Sequence, residues 1–547
     1  MTDTRLFVNG RIYQSPAPDG SPAFAQCMIV QDGLIHHIGS EDDEPVLAAK
    51  AVNAPTTDLA GRTVLPGFID GHVHILMLGQ SLTKLDLTGC RDIEDIRARI
   101  RRFARANPLA KRIFCRGWQS NAMTPGGADA SMLDGLDERP VFVDSQDLHS
   151  AWCSTAGLAE LCREMGIAAD AADPPGGMFS RDSGGRLSGV FTESAVFEYV
   201  WPFGARVASL DERKHALRQA IRALNAAGCT GVVDMAMDEL IWEPLREMRN
   251  TEGLGGMRIA AYWLMKPSDS TDRLLKQVDR AAELAAEWNA ERALDLRVVG
   301  IKIICDGTVD LCTASLREPY SSGGHPGPCW TAEALGMMVS RAHARGLQVA
   351  LHAIGDRTVG MAIDVLEKST SASMRPRIEH LELTAEEDAA RLGRFGITAS
   401  VQPVHADPAG LRAWPRLVGP HRCNRAFAYG DFLRGGAVLA LGSDAPTAPY
   451  PPLPNMYVAT TRRSSREPGL DFALDKADSH RISVCEAVAA ATEGSAYSTF
   501  AEAWSGSLKS GMKADFVVCE LDLSAPEELV RGVIQETWFE GRKVYQA

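Results

Sequence analysis

Leu65-Pro-Gly-Phe-Ile-Asp-Gly-His-Val-His74 sits inside the apolar, β-rich run Val64–Ile75 and closes it on two histidines. Residues two apart on a strand share one face, so His72 and His74 point the same way, and two imidazoles so placed can share a divalent metal ion. Seven further strand-like runs follow: Cys229–Ala236, Arg258–Leu264, Arg297–Cys305, Leu347–Ile354, Arg377–Leu383, Ile397–Pro403 and Ala437–Ser443. Amphipathic stretches rich in Ala, Leu, Arg and Glu separate most of them, among them Asp211–Ala227, Asp272–Ala290, Thr331–Arg345, Thr358–Lys368 and Thr384–Arg394. Several helices run into glycine just before the next strand, at Gly228, Gly346 and Gly396, a helix-stop signal. Eight strands alternating with helices predict an α/β chain folded as a parallel, TIM-like (β/α)8 barrel. A doubly wound sheet gives a similar alternation.

The two ends read differently. Leu6–Tyr13, Cys27–Gly39 and Thr57–Thr63 are short strand-like runs with Asn-Gly and Asp-Gly turns, and Asp515–Glu520, Ile534–Phe539 and Arg542–Tyr545 resemble them. Neither set buries a core alone. The expected arrangement is a small composite β-sandwich domain of residues 1–63 and 506–547 beside a metal-dependent barrel of 64–505. Residues from about 89 to 203 are too many for a single βα connection. They contain strand-like pieces at Arg112–Arg116 and Val141–Ser145 and a hairpin signal, Gly176-Gly-Met-Phe179 to Gly184-Gly-Arg-Leu187. This stretch reads as an insertion after the first barrel strand, placed to act as a substrate lid.

The chain has 547 residues, roughly twice a bare barrel of about 250, so an accessory domain and an insertion are affordable in length. A composition 45% hydrophobic and 23% charged is that of a globular protein. The formal net charge of −13 argues against nucleic acid or an anionic membrane as partner, since both repel an acidic field. Met1–Arg11 shows no secretory h-region, and no apolar run reaches the roughly 18–20 residues a bilayer span needs. The 12 cysteines are scattered without a CxxC pair, the pattern of reduced thiols in a cytoplasmic protein.

Four more candidates stand near the ends of later strands: Lys302, His352, His380 and Asp444. Singly, a buried histidine is a hydrogen-bonded core residue, the lysine an ion-pair partner and the aspartate a helix cap. Jointly those readings fail. Three strands ending in His, His and Asp, after a strand ending in His-Val-His, point to a metal centre at the carboxyl end of the barrel.

Beyond these residues, the chain resembles the amidohydrolase superfamily, and within it the YtcJ-like (amidohydrolase 3) group. The resemblance rests on VLPGFIDGHVH at Val64–His74, DLHSAW at Asp147–Trp152, GIKIICDGT at Gly300–Thr308 and HAIGD at His352–Asp356. RIEH at Arg377–His380, SVQPVHAD at Ser400–Asp407, GSDAP at Gly442–Pro446 and GSLKSGMKADFVV at Gly506–Val518 continue it. Among members with an assigned reaction it is most similar to N-substituted formamide deformylases.

The resemblance implies that His72, His74 and Asp444 ligate the more buried metal, and His352 and His380 a second. It implies that Lys302, carbamylated, bridges the two. An amine cannot bridge two cations, whereas a carbamate is an anionic bidentate oxygen donor. Whether one ion or two are held stays open. Ligand softness favours zinc, and His/carboxylate sites also accept manganese, iron or cobalt. Metal-activated hydroxide would attack the carbonyl of a small-molecule amide, with Asp444 as general base and then acid. Gln402 and His405 are candidates to polarise the carbonyl oxygen, or are structural. His149 is a candidate substrate contact or part of a packing motif, and Trp118 and Phe179 are candidates for an apolar wall, although a lone aromatic is more often core. Asp306 and Glu379 are expected to orient Lys302 and His380. Glu193, in Val190-Phe-Thr-Glu193, has no assigned role, and His215 and His343 read as surface residues. The resemblance also implies a homodimer. The leading reading is hydrolysis of a linear amide, in particular an N-substituted formamide giving formate and an amine. The alternatives are a cyclic amide, carbamate or ester, a deamination, or a non-catalytic binding protein on the same scaffold.

Overall fold

The structure, a computed structural model, describes residues 4–17, 19–119, 124, 127–146, 149–174, 177–268, 270–474 and 478–547. The chain forms two compact units, one of Met1–Ile75 with Ile221–Ala547 and one of Leu76–Ala220.

The first unit is built on eight parallel strands: β1 (Phe68–Val73), β2 (Cys229–Met237), β3 (Arg258–Leu264), β4 (Leu296–Ile304), β5 (Gln348–Ala353), β6 (Arg377–His380), β7 (Thr398–Val401) and β8 (Leu439–Leu441). Each pairs with its neighbour in sequence order, without the reversal that defines a doubly wound sheet. The carboxyl ends of β8 and β1 then meet. Asp444 N–H donates to the His72 carbonyl at 2.7 Å, and His74 N–H donates to the Ala445 carbonyl at 3.0 Å. A Cβ on Gly442 would lie 2.4 Å from the His72 nitrogen, so the missing side chain is what lets these two ends close. The sheet is a barrel, and both ends of that seam carry candidate site residues.

The intervening helices are amphipathic and bury one stripe each. Thr271–Glu287 turns Leu274, Val278, Ala281 and Leu284 inward, the three- and four-residue spacing that puts side chains on one face. Full burial of such a Leu or Val contributes roughly 1.5–3 kcal/mol. Ser270 and Thr331 cap their helices through side-chain oxygens, and Gly228, Gly346 and Gly396 have the positive φ expected of helix-terminating glycines.

One boundary differs from expectation. Val64–Ile75 is not one strand: Thr63–Pro66 pairs antiparallel with Phe516–Cys519 and parallel with Arg11–Ile12, outside the barrel. The change of sheet takes one residue. Gly67 N–H donates to the Asp515 carbonyl, and Phe68 N–H donates to the Gly228 carbonyl, both at 3.0 Å. The barrel therefore begins at Phe68 rather than at 64. The run expected at Thr57–Thr63 divides likewise, since Thr56–Asp58 joins a different sheet from Thr63–Pro66.

The termini supply a four-stranded sheet (Thr4–Val8, Cys27–Gln31, Leu34–Gly39, Thr56–Asp58) and a six-stranded sheet that includes Arg11–Tyr13, Thr63–Pro66, Phe516–Glu520, Val533–Phe539 and Arg542–Gln546. Phe7, Met28 and Ile35 from the first share one apolar cluster with Ile12, Val64, Phe516, Val518 and Trp538 from the second.

The second unit holds a six-stranded mixed sheet running Gly177–Arg181, Leu187–Glu193, Ser150–Cys153, Val141–Ser145, Ile113–Trp118, Leu85–Asp86. Its first strand precedes residue 89, and the unit as a whole spans Leu76–Ala220, wider than the expected insertion. Asp147, Leu148 and Gly176, which the sequence motifs include, lie outside the described residues. Among the described residues, no helix is long and apolar enough to cross a membrane.

Candidate metal centre

His72 is the penultimate residue of β1 and His74 follows it, while Asp444 follows β8, so the closing seam delivers all three to one point. Asp444 Oδ1 lies 3.3 Å from His72 Nε2 and 3.0 Å from His74 Nε2. A second set, His380 with His405 and Asp444, converges on the same carboxylate, and in each set the donor atoms lie within 4.8 Å of one another. His380 follows from β6, and His405 from the turn Pro403–Ala406 after β7. Both His380 and Asp444 have left-handed backbones, φ +77° and +58°, which turns their side chains away from the strand alternation and into the cluster.

The rings form a contiguous group. His380 lies 4.9 Å from His72, 4.4 Å from His352 and 6.0 Å from His405, ring centre to ring centre. His352 stands outside the two converging sets, with Nε2 at 3.4 Å from the Gly307 carbonyl and 3.5 Å from Asp306 Oδ1. Its ring nevertheless packs on that of His380, while His405 Nε2 stands 3.6 Å from Asp444 Oδ2.

Two expected partnerships are corrected. Glu379 does not orient His380; its Oε2 accepts from His72 Nδ1 at 2.8 Å. Glu379 reaches across the barrel interior to β1, and the left-handed backbone at His380 brings the next side chain to the same His72 ring. Asp306 does not hold Lys302 either. Its carboxylate accepts the backbone N–H groups of Ser315, Ile354 and Gly355, and burial raises its pKa to about 7. Lys302 Nζ is buried and has no hydrogen-bond partner among the described residues. Burial pushes its pKa down to about 8 against the opposing pull of Glu379 and Asp444.

The donor set fits a cation. With its Nδ1 proton committed to Glu379, His72 presents a lone pair from Nε2 to a carboxylate oxygen, an arrangement that repels unless a positive charge lies between. His74 Nδ1, His380 Nδ1 and Asp444 Oδ1 are likewise buried without a hydrogen-bond partner among the described residues. Burial, with the Lys302 cation adding to it, lowers the His352 pKa to about 3, and burial with His352 and His72 holds His380 well below its ordinary value. Both rings are therefore neutral, the form that ligates metals. Burial raises the Asp444 carboxyl, but His72 and His74 outweigh it and hold that carboxyl well below the usual range. His405 differs: burial pulls it down, yet the Glu382 hydrogen bond at 3.2 Å and Asp444 raise it overall. Gln402 is buried with neither amide atom bonded.

The model of the amidohydrolase family matches residues 56–545. The chain belongs to that family. This amidohydrolase is 28% identical to Protein LONG AFTER FAR-RED 3 of Arabidopsis thaliana, over 99% of this chain and 91% of that protein. It is 27% identical to the putative amidohydrolase YtcJ of Bacillus subtilis (strain 168), over 95% and 96%. An N-substituted formamide deformylase of Arthrobacter pascens is 24% identical over 95% and 93%. The same fold occurs in an uncharacterized metal-dependent hydrolase from Pyrococcus horikoshii OT3, with a TM-score of 0.79, 24% identity and coverage of 96% and 99%. The chain is accordingly a hydrolase of the amidohydrolase family, with a YtcJ-like sequence.

The remaining sequence candidates of this amidohydrolase lie in the second unit. Trp118 packs on Trp152, ring centres 5.3 Å apart, in one of that unit's cores. Phe179 meets Phe191 and Tyr199 in another. Both are buried in these cores, the commoner of the two readings of a lone aromatic. His149 Nδ1 donates to Glu193 Oε2 at 2.8 Å, both side chains being part-exposed. His215 and His343 are exposed, as read.

Sequence reasoning missed Arg377 and Glu382. Fully buried, Arg377 donates to Glu379 at 2.9 Å, to the Gly71 carbonyl at 2.7 Å and to the hydroxyls of Ser400 and Ser498. The signal was present as two opposite charges two residues apart in an otherwise apolar strand. Glu382 gives no such signal, because it follows β6 in an irregular turn.

Proposed function

We propose that this amidohydrolase cleaves the C–N bond of a linear amide, specifically an N-substituted formamide, releasing formate and an amine. The observation that carries the reading is the convergence of His72, His74, His380 and His405 on the single carboxylate of Asp444. The likeness to an N-substituted formamide deformylase along nearly the whole chain supports the substrate class.

His72, His74 and Asp444 would hold one divalent ion, and His352 and His380 a second, zinc being the metal these nitrogen and oxygen donors suit best. Lys302 would join them as a carbamate, since its partnerless Nζ stands beside the cluster. Its amine nitrogen forms a bond to the carbon of CO2 and releases one proton. Bound there, the metal supplies Lewis-acid activation of water and of the substrate carbonyl.

The side chains do the rest. Asp444 takes the proton that the attacking water loses and returns it to the amine nitrogen as the C–N bond breaks. That transfer is needed because an unprotonated amine leaves poorly. Glu382 fixes the Nδ1 side of His405, whose Nε2 stands 3.6 Å from Asp444 Oδ2. His405 and the Gln402 amide would hydrogen-bond the carbonyl oxygen as it gains negative charge.

The test is formate release by metal-loaded protein from N-benzylformamide, alongside acetamides, a cyclic amide and an ester. The expected result is formate and benzylamine in equal amounts. Turnover of another class with none of the formamides overturns the substrate, and ammonia release assigns a deamination instead.

A further inference from the structure

We infer that Ile304, with Leu264 beside it, is the apolar wall against which the hydrocarbon substituent of the substrate packs. The inference rests on the reading of the Asp444 cluster as the reaction centre. Every residue of β4 from Leu296 to Ile303 is buried or part-buried, yet Ile304 at its carboxyl end is 44% exposed. An exposed isoleucine on an outer surface is ordinary. This one faces inward.

The direction follows from the ladder. β4 pairs with β5 without a register shift, Lys302 opposite Ala350 and Ile304 opposite His352. Paired residues of parallel neighbours project from the same face, and so do residues two apart on one strand. Ile304 therefore shares a face with Lys302 and with His352, whose ring lies 4.4 Å from that of His380. Leu264, the last residue of β3, pairs with Lys302 and is also only part-buried. The Ile304 backbone is fixed, since its carbonyl accepts Trp330 Nε1–H at 2.9 Å, while the side chain stays open. Two incompletely buried apolar side chains thus share the barrel face that carries Lys302 and His352. Trp118 and Phe179, being core residues of the second unit, do not compete for this role.

The wall is read by a ratio. Acetohydroxamate and phenylacetohydroxamate chelate a metal through the same head and differ in one phenyl group. Their dissociation constants are measured by calorimetry with the metal-loaded full chain. Ile304→Ser is expected to lower the preference for the phenyl compound about fivefold. Ile304→Leu restores the preference, and Val533→Ser, at the exposed start of a strand in a terminal sheet, leaves it as in the parent. The kcat/KM ratio of N-benzylformamide to N-methylformamide follows the same order. An unchanged hydroxamate ratio in Ile304→Ser, with metal content and circular dichroism intact, overturns the inference. If no formamide is hydrolysed, the proposed substrate fails while the hydroxamate ratio still decides the role of Ile304.

Discussion

Asp444→Asn is expected to lower kcat/KM for hydrolysis about a thousandfold and to leave the fold intact. Removal of a positioned general base and acid costs about 10²–10⁴ in rate, and asparagine cannot take a proton from water. The same change removes the negative charge on which the imidazole sets converge, so metal affinity falls as well. Asparagine is the informative replacement because Asp444 sits at φ +58°, a left-handed conformation that asparagine adopts with little strain. Its backbone N–H still donates to the His72 carbonyl, so the seam between β8 and β1 survives. Steady-state kinetics at saturating metal, together with the metal content of each variant, separate the two effects. Activity within tenfold of the parent would place the proton shuttle on another group.

Arg377→Ala is expected to cost about 3–5 kcal/mol of stability, the range for removing one partner of a buried charge pair. Burial alone would raise the Glu379 carboxyl. Arg377, with His72 and Lys302, holds it below its ordinary value instead. Without the guanidinium, the Glu379 carboxylate keeps the His72 hydrogen bond but loses its charge partner, and the Gly71 carbonyl and Ser400 hydroxyl lose this donor. Urea unfolding of the metal-free variant reads the loss as a lower midpoint. The double variant Arg377→Met with Glu379→Leu is expected to regain part of that stability, because it leaves no unpaired charge. It is not expected to regain metal affinity, since His72 then lacks the acceptor that commits its Nδ1 proton. A single variant as stable as the parent would show that the pair is not the electrostatic keystone of the barrel floor.

These two residues mark where the sequence was readable and where it was not. Barrel strands and helices were legible because each carries its own periodicity, and the cluster of His72, His74, His380 and Asp444 because each ends a strand. The break between Pro66 and Gly67 was not legible. Both sides of it are apolar and buried, and only hydrogen-bond partners on Asp515 and Gly228 distinguish the two sheets. The partner of Glu379 was hidden for a similar reason. His72 is 307 residues away, whereas His380 is adjacent in sequence without being the partner. Trp118 and Phe179 stayed open because an aromatic in a glycine-rich stretch reads alike whether it lines a pocket or fills a core. Trp152 and Phe191, which decide the matter, come from other strands.

Anomalous scattering from crystals of the zinc-loaded protein locates the metal without any assumption about substrate. The expected map has a peak about 2.0–2.2 Å from His72 Nε2, His74 Nε2 and a carboxylate oxygen of Asp444 together. A map in which zinc is bound elsewhere, and these three side chains ligate nothing, would contradict the assignment of the β1–β8 seam as the metal centre.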